Sequence, residues 1–232
     1  MSSKQMKNWK ITAWLATPLA GENAPMLDAL LAWELAQRLG SKHHRKTTRA
    51  TPIDEIPDVP IPLAKRTFSG VDVYCVSNPI MPNPLAEWTE YLNKRIDTMT
   101  IAPLLSPNEQ KSLLIASGPF KMRHSPIRVR LVDRVVWFAR GGRVEINKLL
   151  KSIYAIGAYR GAGYGRIARW EFEDMGDNNF SIFACWQGKP VLMRTIPLGE
   201  GIENVCGYRP FYGGFKPPYW HPALFRDVAV PC

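Results

Sequence analysis

Hydrophobic residues recur along the chain either at every second position or at every third and fourth position, and these two patterns predict where strands and helices lie. Residues 9–16 alternate between apolar and polar side chains, which is the period of a half-buried strand. Residues 26–39 are apolar nearly all round and stop before Gly40, which predicts a helix largely buried against a sheet. Residues 145–153 place apolar side chains three and four positions apart, the spacing of an amphipathic helix. The remaining predicted elements are a helix over 85–96 and strands over 71–76, 126–132, 135–139, 164–173, 180–186 and 191–194.

The order of these elements resembles the β-α-β-β-α-β arrangement of ferredoxin-like, or RRM-like, domains. This predicts an α+β fold rather than a doubly wound nucleotide-binding sheet, which needs a longer alternation of strands and helices. Prolines interrupt residues 41–70 and return in the irregular segment 78–120, so we expect insertions there. Residues 200–232 predict a loop-rich β extension, with an ordered loop over 207–222. We therefore expect a single domain over 1–232.

Composition adds a candidate partner to this outline. The 232 residues include 30 Lys and Arg against 20 Asp and Glu, a formal net charge of +10. This excess of basic side chains favours a polyanion such as nucleic acid, because binding releases counterions from the phosphates. No apolar stretch is long enough to cross a membrane, and the N-terminus lacks the apolar core of a signal peptide. We expect a cytoplasmic protein without membrane contact.

The four cysteines argue against a metal site or a disulfide framework. Cys75, Cys185, Cys206 and Cys232 lie far apart, and none belongs to a CxxC pair. The sequence also lacks the HExxH spacing of a zinc-dependent enzyme. We therefore expect ordinary free thiols, no metal and no cofactor.

The densest cluster of chemically suggestive residues is a glycine-rich run over 157–165, called here the glycine loop. Glycine permits positive φ angles and a close approach of the backbone to a ligand, and successive exposed N–H groups form a concave anion site. Arginines add forked contacts to phosphate, and tyrosines can stack on bases. The predicted RNA-binding residues of this segment are Gly157, Tyr159, Arg160, Gly161, Gly163, Tyr164, Gly165 and Arg166.

The position of the glycine loop after a helix and before a strand separates it from the common nucleotide-binding loops. Its G-x-G-x-G spacing is not the dinucleotide fingerprint, which lies between a strand and a helix. It is not a Walker loop either, since that motif needs a Lys followed by Ser or Thr. A glycine-rich connector without a ligand is the structural alternative. The absence of acidic residues between positions 146 and 170 favours the anion site.

Several segments carry a resemblance to a known superfamily. The helix that ends in an apolar turn, the glycine loop and the Gly-Arg-Ile at 165–167 resemble the glycine-rich loop of the RAMP proteins of CRISPR–Cas effector complexes. The Ala-Thr-Pro-Leu turn at 16–19 and the Leu-Asp-Ala-Leu-Leu-Ala segment at 27–32 are similar to the start of the Cas-five-type subunit of type IV systems. The runs at 208–212 and 217–221 are similar to the tail of that family.

The resemblance implies a function that the residue patterns alone do not give. A Cas-five-type subunit caps one end of the effector complex, holds the 5′ repeat-derived handle of the CRISPR RNA and contacts the first backbone subunit. The implied partners are therefore the RNA handle, the backbone subunits and the large or small subunits, with target DNA as a further candidate. The resemblance also implies a binding protein rather than an enzyme, because a separate enzyme trims the RNA in type IV complexes.

Two further groups of basic residues extend the predicted RNA path. No acidic residue lies between positions 35 and 53, and a solvated charged loop is the alternative interpretation of this run. Arg128 and Arg130 share the polar side of a predicted strand. They either line the RNA path or pair with carboxylates, for which Glu171 and Glu173 are candidates. The residues of the basic run that we expect on RNA are Lys42, Arg45, Lys46 and Arg49.

RNA cleavage is the alternative function, because relatives in one type I branch of the superfamily cut RNA. Metal-independent cleavage needs a general base and a general acid, and His124 beside Lys121 is the best candidate pair. A generic RNA-binding module outside CRISPR systems is the third hypothesis. The alternatives differ measurably, since an endoribonuclease of this kind leaves a 2′,3′-cyclic phosphate on its product.

Overall fold

The computed structural model describes residues 6–39, 48–56, 59–94, 97–104, 106, 123–199, 201–202 and 204–232. The strands are β1 (Lys7–Leu15), β2 (Leu19–Ala20), β3 (Lys65–Phe68), β4 (Val71–Tyr74), β5 (Ala86–Lys94), β6 (Arg123–Leu131), β7 (Arg134–Gly141), β8 (Ile167–Asp174), β9 (Phe183–Trp186), β10 (Lys189–Leu192), β11 (Ile196–Pro197), β12 (Tyr208–Gly214) and β13 (Phe225–Pro231). The helices are α1 (Leu27–Arg38), α2 (Thr98–Ile101) and α3 (Arg143–Leu150), with 3₁₀ turns at Ile53–Glu55, Ala102–Leu104, Arg160–Ala162 and Pro222–Leu224. Within these described ranges, no helix is both long enough and apolar enough to cross a bilayer.

The central sheet has the first strand in its middle. β1 pairs antiparallel with β7 on one side and with β8 on the other. Residues 76–80 extend the sheet along the outer edge of β7, where Val76 pairs with Ala139 and Ile80 with Val136. Pro79 has no N–H to donate, which explains why this edge consists of two bridges rather than a regular strand.

The main hydrophobic core lies between this sheet and the two longer helices. Side chains of β1 and β7, such as Ile11 and Trp137, are fully buried with Leu31 of α1 and Ile146 of α3. Burial of such a side chain contributes roughly 1.5–3 kcal/mol to folding. The pattern of α1 predicts a largely buried helix, but Trp33 has 44% of its surface exposed.

A second sheet corrects one of the sequence predictions. Residues 86–94 form strand β5 rather than the predicted helix, and β5 pairs antiparallel with β6 along its whole length. Trp88, Thr89 and Tyr91 are residue types that strands favour, although apolar and polar positions do not alternate along the segment. The long pairing with β6 decides for the strand, because tertiary partners override a weak local preference. β6 also pairs with β2, so it belongs to this sheet and not to the central one.

In the structure, the strands that follow β8 form a C-terminal extension, which packs with the hairpin of β3 and β4 around a second, smaller core. The hairpin predicted to turn at Gln187 and Gly188 is confirmed, and both residues have the positive φ angles that tight hairpin turns require. Strands β11, β13 and β12 form a three-stranded sheet, so the predicted loop over 207–222 is wrong where β12 lies. Phe215, which follows β12, and Val228 of β13 are fully buried in this core. The pairing of β12 with β13 gives residues 208–214 a regular structure. The whole architecture is α+β, with antiparallel sheets and helices on one face of the central sheet.

Candidate nucleic-acid interface

The glycine loop is fixed by its own backbone to the turn that follows β1. The Ala158 N–H donates to the carbonyl of Ala20 at 3.0 Å, and the Gly165 N–H donates to Pro18 at 2.8 Å. The Thr17 hydroxyl donates to the carbonyl of Gly163 at 2.8 Å and accepts from the Arg166 N–H at 2.9 Å. The two segments that carry the superfamily resemblance are therefore in direct contact, and residues 16–20 support the loop.

Two glycines of the glycine loop leave no room for a side chain, and two others face open space. Gly165 has a φ of +62°, and a Cβ atom there would lie 1.9 Å from the carbonyl oxygen of Ile156. A Cβ atom on Gly157 would lie 2.7 Å from Leu19 Cδ1, at a φ of +85°. Gly161 and Gly163 have no atom within 4 Å of such a position. The first pair therefore allows close packing on the turn, and the second pair leaves the outer side of the loop accessible.

The outer side of the loop presents backbone donors. Tyr159 has a left-handed backbone with a φ of +53°, and a single 3₁₀ turn follows it. The N–H groups of Tyr159, Arg160 and Gly161 have no acceptor among the described residues, whereas those of Ala162 and Gly163 close the turn. Three successive donors at an exposed bend suit a phosphate oxygen.

The two arginines of this segment are exposed and lie outside any ion pair within the described part of the chain. The guanidinium of Arg160 lies 5.3 Å from the ring centroid of Trp33 on α1, a cation–π contact between two exposed residues. Arg166 follows the loop at the bridge that pairs it with Ala155. Both guanidinium groups therefore remain available to an anion.

The two tyrosines have different surroundings. Tyr159 is 44% exposed, which leaves its ring accessible to a base. The Tyr164 hydroxyl donates to Glu90 of β5, and its ring packs against the small cluster around Val129. This hydrogen bond to Glu90 raises the pKa of Tyr164. Tyr164 connects the loop to the β5–β6 hairpin through this hydrogen bond, which holds its ring against the protein. Stacking of Tyr164 on a base stays a prediction, and this contact argues against it.

Two arginines of β6, Arg128 and Arg130, are engaged within the protein and are called here the β6 arginines. Arg128 Nε donates to the carboxylate of Glu87, and this hydrogen bond raises the pKa of Arg128. Arg130 donates to the carbonyl of Gly21 at 2.9 Å and is half-buried. The carboxylates expected from the sequence have other partners, because Glu171 accepts from Trp14 and Glu173 pairs with Lys10. The place of the β6 arginines on an RNA path stays a prediction.

The remaining predicted site residues are only partly described. Arg49 is exposed. His124 stacks on Tyr91 with ring centroids 4.5 Å apart, and its Nδ1 contacts the side chain of Asn93. The predicted residues that lie outside the described parts are Lys42, Arg45, Lys46 and Lys121.

The open face of the central sheet differs from the glycine loop in its charges. A cavity of about 490 Å³ lies there, and its lining includes Lys10 and Arg134 together with Glu171 and Glu173. Lys10 pairs with Glu173 at 2.8 Å, and Arg134 lies over Trp14 at 5.2 Å. Carboxylates that lie between the cations repel phosphate, so this face is a poorer path for RNA than the loop. No group of three or more His, Cys, Asp or Glu suited to a metal occurs among the described residues.

A buried ion pair connects the C-terminal extension to α1, and sequence reasoning missed it. Arg194 is fully buried and donates to Asp28 at 2.7 Å and to the carbonyl of Phe215 at 2.9 Å. Burial lowers the pKa of Arg194, but the charges of Asp28 and Tyr219 and the hydrogen bonds to both residues together outweigh that effect and leave the pKa raised. Burial raises the pKa of Tyr219 well above its ordinary value, so its protonated hydroxyl donates to Asp28 at 2.9 Å. In the sequence, Asp28 is an acid in the first turn of a predicted helix, and no local pattern indicates that Arg194 is its partner.

Comparison with known protein families bears on the hypotheses raised by the sequence. The model of a family described as CRISPR type IV associated protein Csf3 matches residues 82–231, which is more than half of the chain. The chain belongs to the Csf3 family. The match includes β5, β6, the glycine loop and the C-terminal extension, whereas residues 16–32 lie outside it. A search of curated proteins found no match.

Membership of the Csf3 family confirms the resemblance to the Cas-five-type subunit of type IV systems. It places the chain in a type IV CRISPR-associated complex, and it implies assembly with other subunits of that complex. A generic RNA-binding module outside CRISPR systems is thereby excluded.

Proposed function

We propose that this Csf3 protein is the CRISPR RNA-binding subunit that caps the 5′ repeat-derived handle in a type IV effector complex and contacts the first backbone subunit. The glycine loop is the observation that carries the proposal. It presents three backbone donors without acceptors among the described residues, and its two arginines are exposed outside any ion pair. Phosphate is the ligand that such donors and guanidinium groups bind best.

The order of the elements supports a ferredoxin-like RAMP domain as the framework for this function. From one edge to the other, the central sheet runs β8, β1, β7 and residues 76–80, with all neighbours antiparallel. α1 follows β1, and α3 joins β7 to β8. We propose one such domain over residues 1–232, in which β5 and β6 form a hairpin inserted before β7.

We propose that the subunit binds RNA without cutting it. His124 belongs to the best candidate pair for cleavage in the sequence, and its ring stacks on Tyr91 while its Nδ1 contacts Asn93. A general base needs a free ring nitrogen near the 2′-hydroxyl. The Asn93 contact occupies one of the two ring nitrogens of His124, and stacking on Tyr91 restricts reorientation of the ring. Incubation with repeat RNA in the absence of metal should therefore give no 2′,3′-cyclic phosphate, whereas a product lost in His124→Ala would make the protein an endoribonuclease.

The partners proposed for the complex are the RNA handle, the backbone subunits and the large or small subunits, with target DNA as a further candidate. A complex of this kind works in the cytoplasm. Exposed basic residues beyond the loop, including Arg49, would extend the contact with the nucleic acid. Arg128 joins this path only if it exchanges Glu87 for a phosphate.

Replacing both loop arginines tests the proposal. A charge-assisted hydrogen bond is worth roughly 1.5–3 kcal/mol, so we expect Arg160→Ala with Arg166→Ala to weaken binding of labelled repeat RNA by about 100-fold. Fluorescence polarisation measures the affinity. A matched control removes the same charge from the C-terminal extension by Lys189→Ala with Arg209→Ala, both exposed. Equal affinities of the two double variants would show that the loop is only a connector.

A further inference from the structure

Trp33 is an exposed aromatic side chain on a helix whose other large apolar residues are mostly buried. Leu27, Leu30 and Leu31 contribute to the main core, whereas Trp33 keeps 44% of its surface exposed. Indole normally buries a large apolar area, so an exposed one next to a candidate ligand site indicates a binding role. The only ring or cation contact of Trp33 in the described part of the chain is with Arg160.

The contact with Arg160 joins Trp33 to the glycine loop. The guanidinium lies 5.3 Å from the ring centroid, and the backbone N–H of Arg160 itself is the middle one of the three donors that the loop presents. An arginine stacked on an aromatic ring keeps the N–H groups at its edge free for a phosphate. The pair therefore offers an aromatic surface and a phosphate contact within the length of one nucleotide.

Both carboxylates of α1 are withdrawn from the surface around Trp33. Glu34 is largely buried and pairs with Arg38 at 2.9 Å. Asp28 is fully buried in its pair with Arg194. The helix thus presents its aromatic residue without a free negative charge of its own, which suits a ligand that carries phosphates.

We propose that Trp33 and Arg160 form a stacking site for one unpaired nucleobase of a single-stranded RNA whose phosphates lie on the glycine loop. The inference rests on the proposed function, and it adds a residue of α1 to a site that the sequence had limited to the loop. Recognition through the face of a base is tolerant of sequence, because every base has such a face. The site therefore fixes the position of the RNA and selects a single strand over a duplex.

The test is a thermodynamic cycle between Trp33 and single bases of the RNA. Fluorescence polarisation measures the affinity for a labelled single-stranded RNA of ~12 nucleotides, a length within the span of known single-strand sites. The same measurement is made with a set of RNAs that each lack one base. Loss of stacking on one base corresponds to a decrease in affinity of about 5- to 150-fold for Trp33→Ala. At one abasic position the decrease should vanish, because the base that stacks is already missing. Trp33→Phe should recover much of the affinity.

Two comparisons keep the outcome specific. Trp186→Ala removes another exposed tryptophan, in the C-terminal extension, and should leave the affinity unchanged. Trp33→Leu keeps apolar contact with the loop but removes the aromatic face, so equal affinities of the Leu and Phe variants would overturn the stacking site. Wild-type affinity in Trp33→Ala would also overturn it, and the proposed function would stand if the loop arginine variant still lost affinity. If that variant bound normally as well, both proposals would fail.

Discussion

Two arginine-bearing regions lie on either side of the turn at residues 16–21, and the protein uses them differently. Arg160 and Arg166, in and beside the glycine loop, are exposed and lie outside any ion pair among the described residues. Arg128 and Arg130 of β6 contact Glu87 and the carbonyl of Gly21. In the sequence both pairs look alike, as two arginines within a short span.

The difference shows what makes an arginine available to a ligand. Along the chain, Glu87 is 41 positions from Arg128, so the residue that occupies this guanidinium belongs to another strand. The strand pairing of β5 with β6 places Glu87 opposite Arg130 and next to Arg128. Around the loop, the absence of acids within the local sequence keeps its arginines free. Whether an arginine is available to a ligand therefore depends on a residue of a neighbouring strand at β6, and on the lack of nearby acids in the sequence at the glycine loop.

The largest effect is expected at Arg194, whose guanidinium is fully buried in its ion pair with Asp28. Arg194→Met leaves Asp28 as a buried charge without its cation, which costs about 3–5 kcal/mol of folding free energy. Chemical denaturation followed by circular dichroism measures the change. The exposed Arg160 provides the comparison, and Arg160→Met should change stability by no more than ~0.5 kcal/mol. Equal stability of the two variants would contradict the structural role of the buried pair.

Within the loop, substitutions at two glycines should separate packing from accessibility. Gly165→Ala forces a Cβ atom against the Ile156 carbonyl at a positive φ, so we expect a loss of about 1–3 kcal/mol. Gly161→Ala enters open space and should leave thermal stability nearly unchanged. Denaturation midpoints of both variants provide the measurement. A loop that tolerated alanine equally at both positions would not be fixed to the turn as described.

A smaller effect is expected when Arg128 is released from its partner. Glu87→Gln removes the charge that holds Arg128, so the guanidinium becomes available to phosphate. If β6 lies beside the RNA, affinity should rise by about two- to five-fold at low salt, since each added phosphate contact releases counterions. Thr89→Ala, on the same strand, is the control without a change of charge. Identical affinities of wild type and Glu87→Gln would place the β6 arginines away from the RNA.

Much of the framework could be predicted from local patterns. The strand over 9–16, the helix over 26–39 and the hairpin at Gln187 and Gly188 were found because their periods and turn residues are local signals. The predicted helix over 85–96 was wrong because the local sequence does not distinguish a helix from a strand there, and the pairing with β6 decides for the strand. The pairing of residues 76–80 with β7 was not predicted, since Pro79 interrupts the segment and its strand-like conformation depends on β7.

The candidate site was predictable to the extent that it lies in one continuous segment. The glycine loop stood out because glycines and arginines are adjacent in the chain. Trp33 lies more than a hundred positions earlier and looked like one more apolar residue of a buried helix. Tyr164 was assigned to base stacking, and its contact with Glu90 depends on a strand that the sequence did not show.

The salt dependence of RNA binding tests most directly whether the loop arginines contact phosphate and the β6 arginines do not. The affinity of labelled repeat RNA would be measured over a range of salt concentrations for wild type, for Arg160→Ala with Arg166→Ala, and for Arg128→Ala with Arg130→Ala. Each lost phosphate contact lowers the slope of log affinity against log salt by about one, so the loop variant should lose about two and the β6 variant almost nothing. Equal slopes for the two variants, or a larger loss in the β6 variant, would contradict the account.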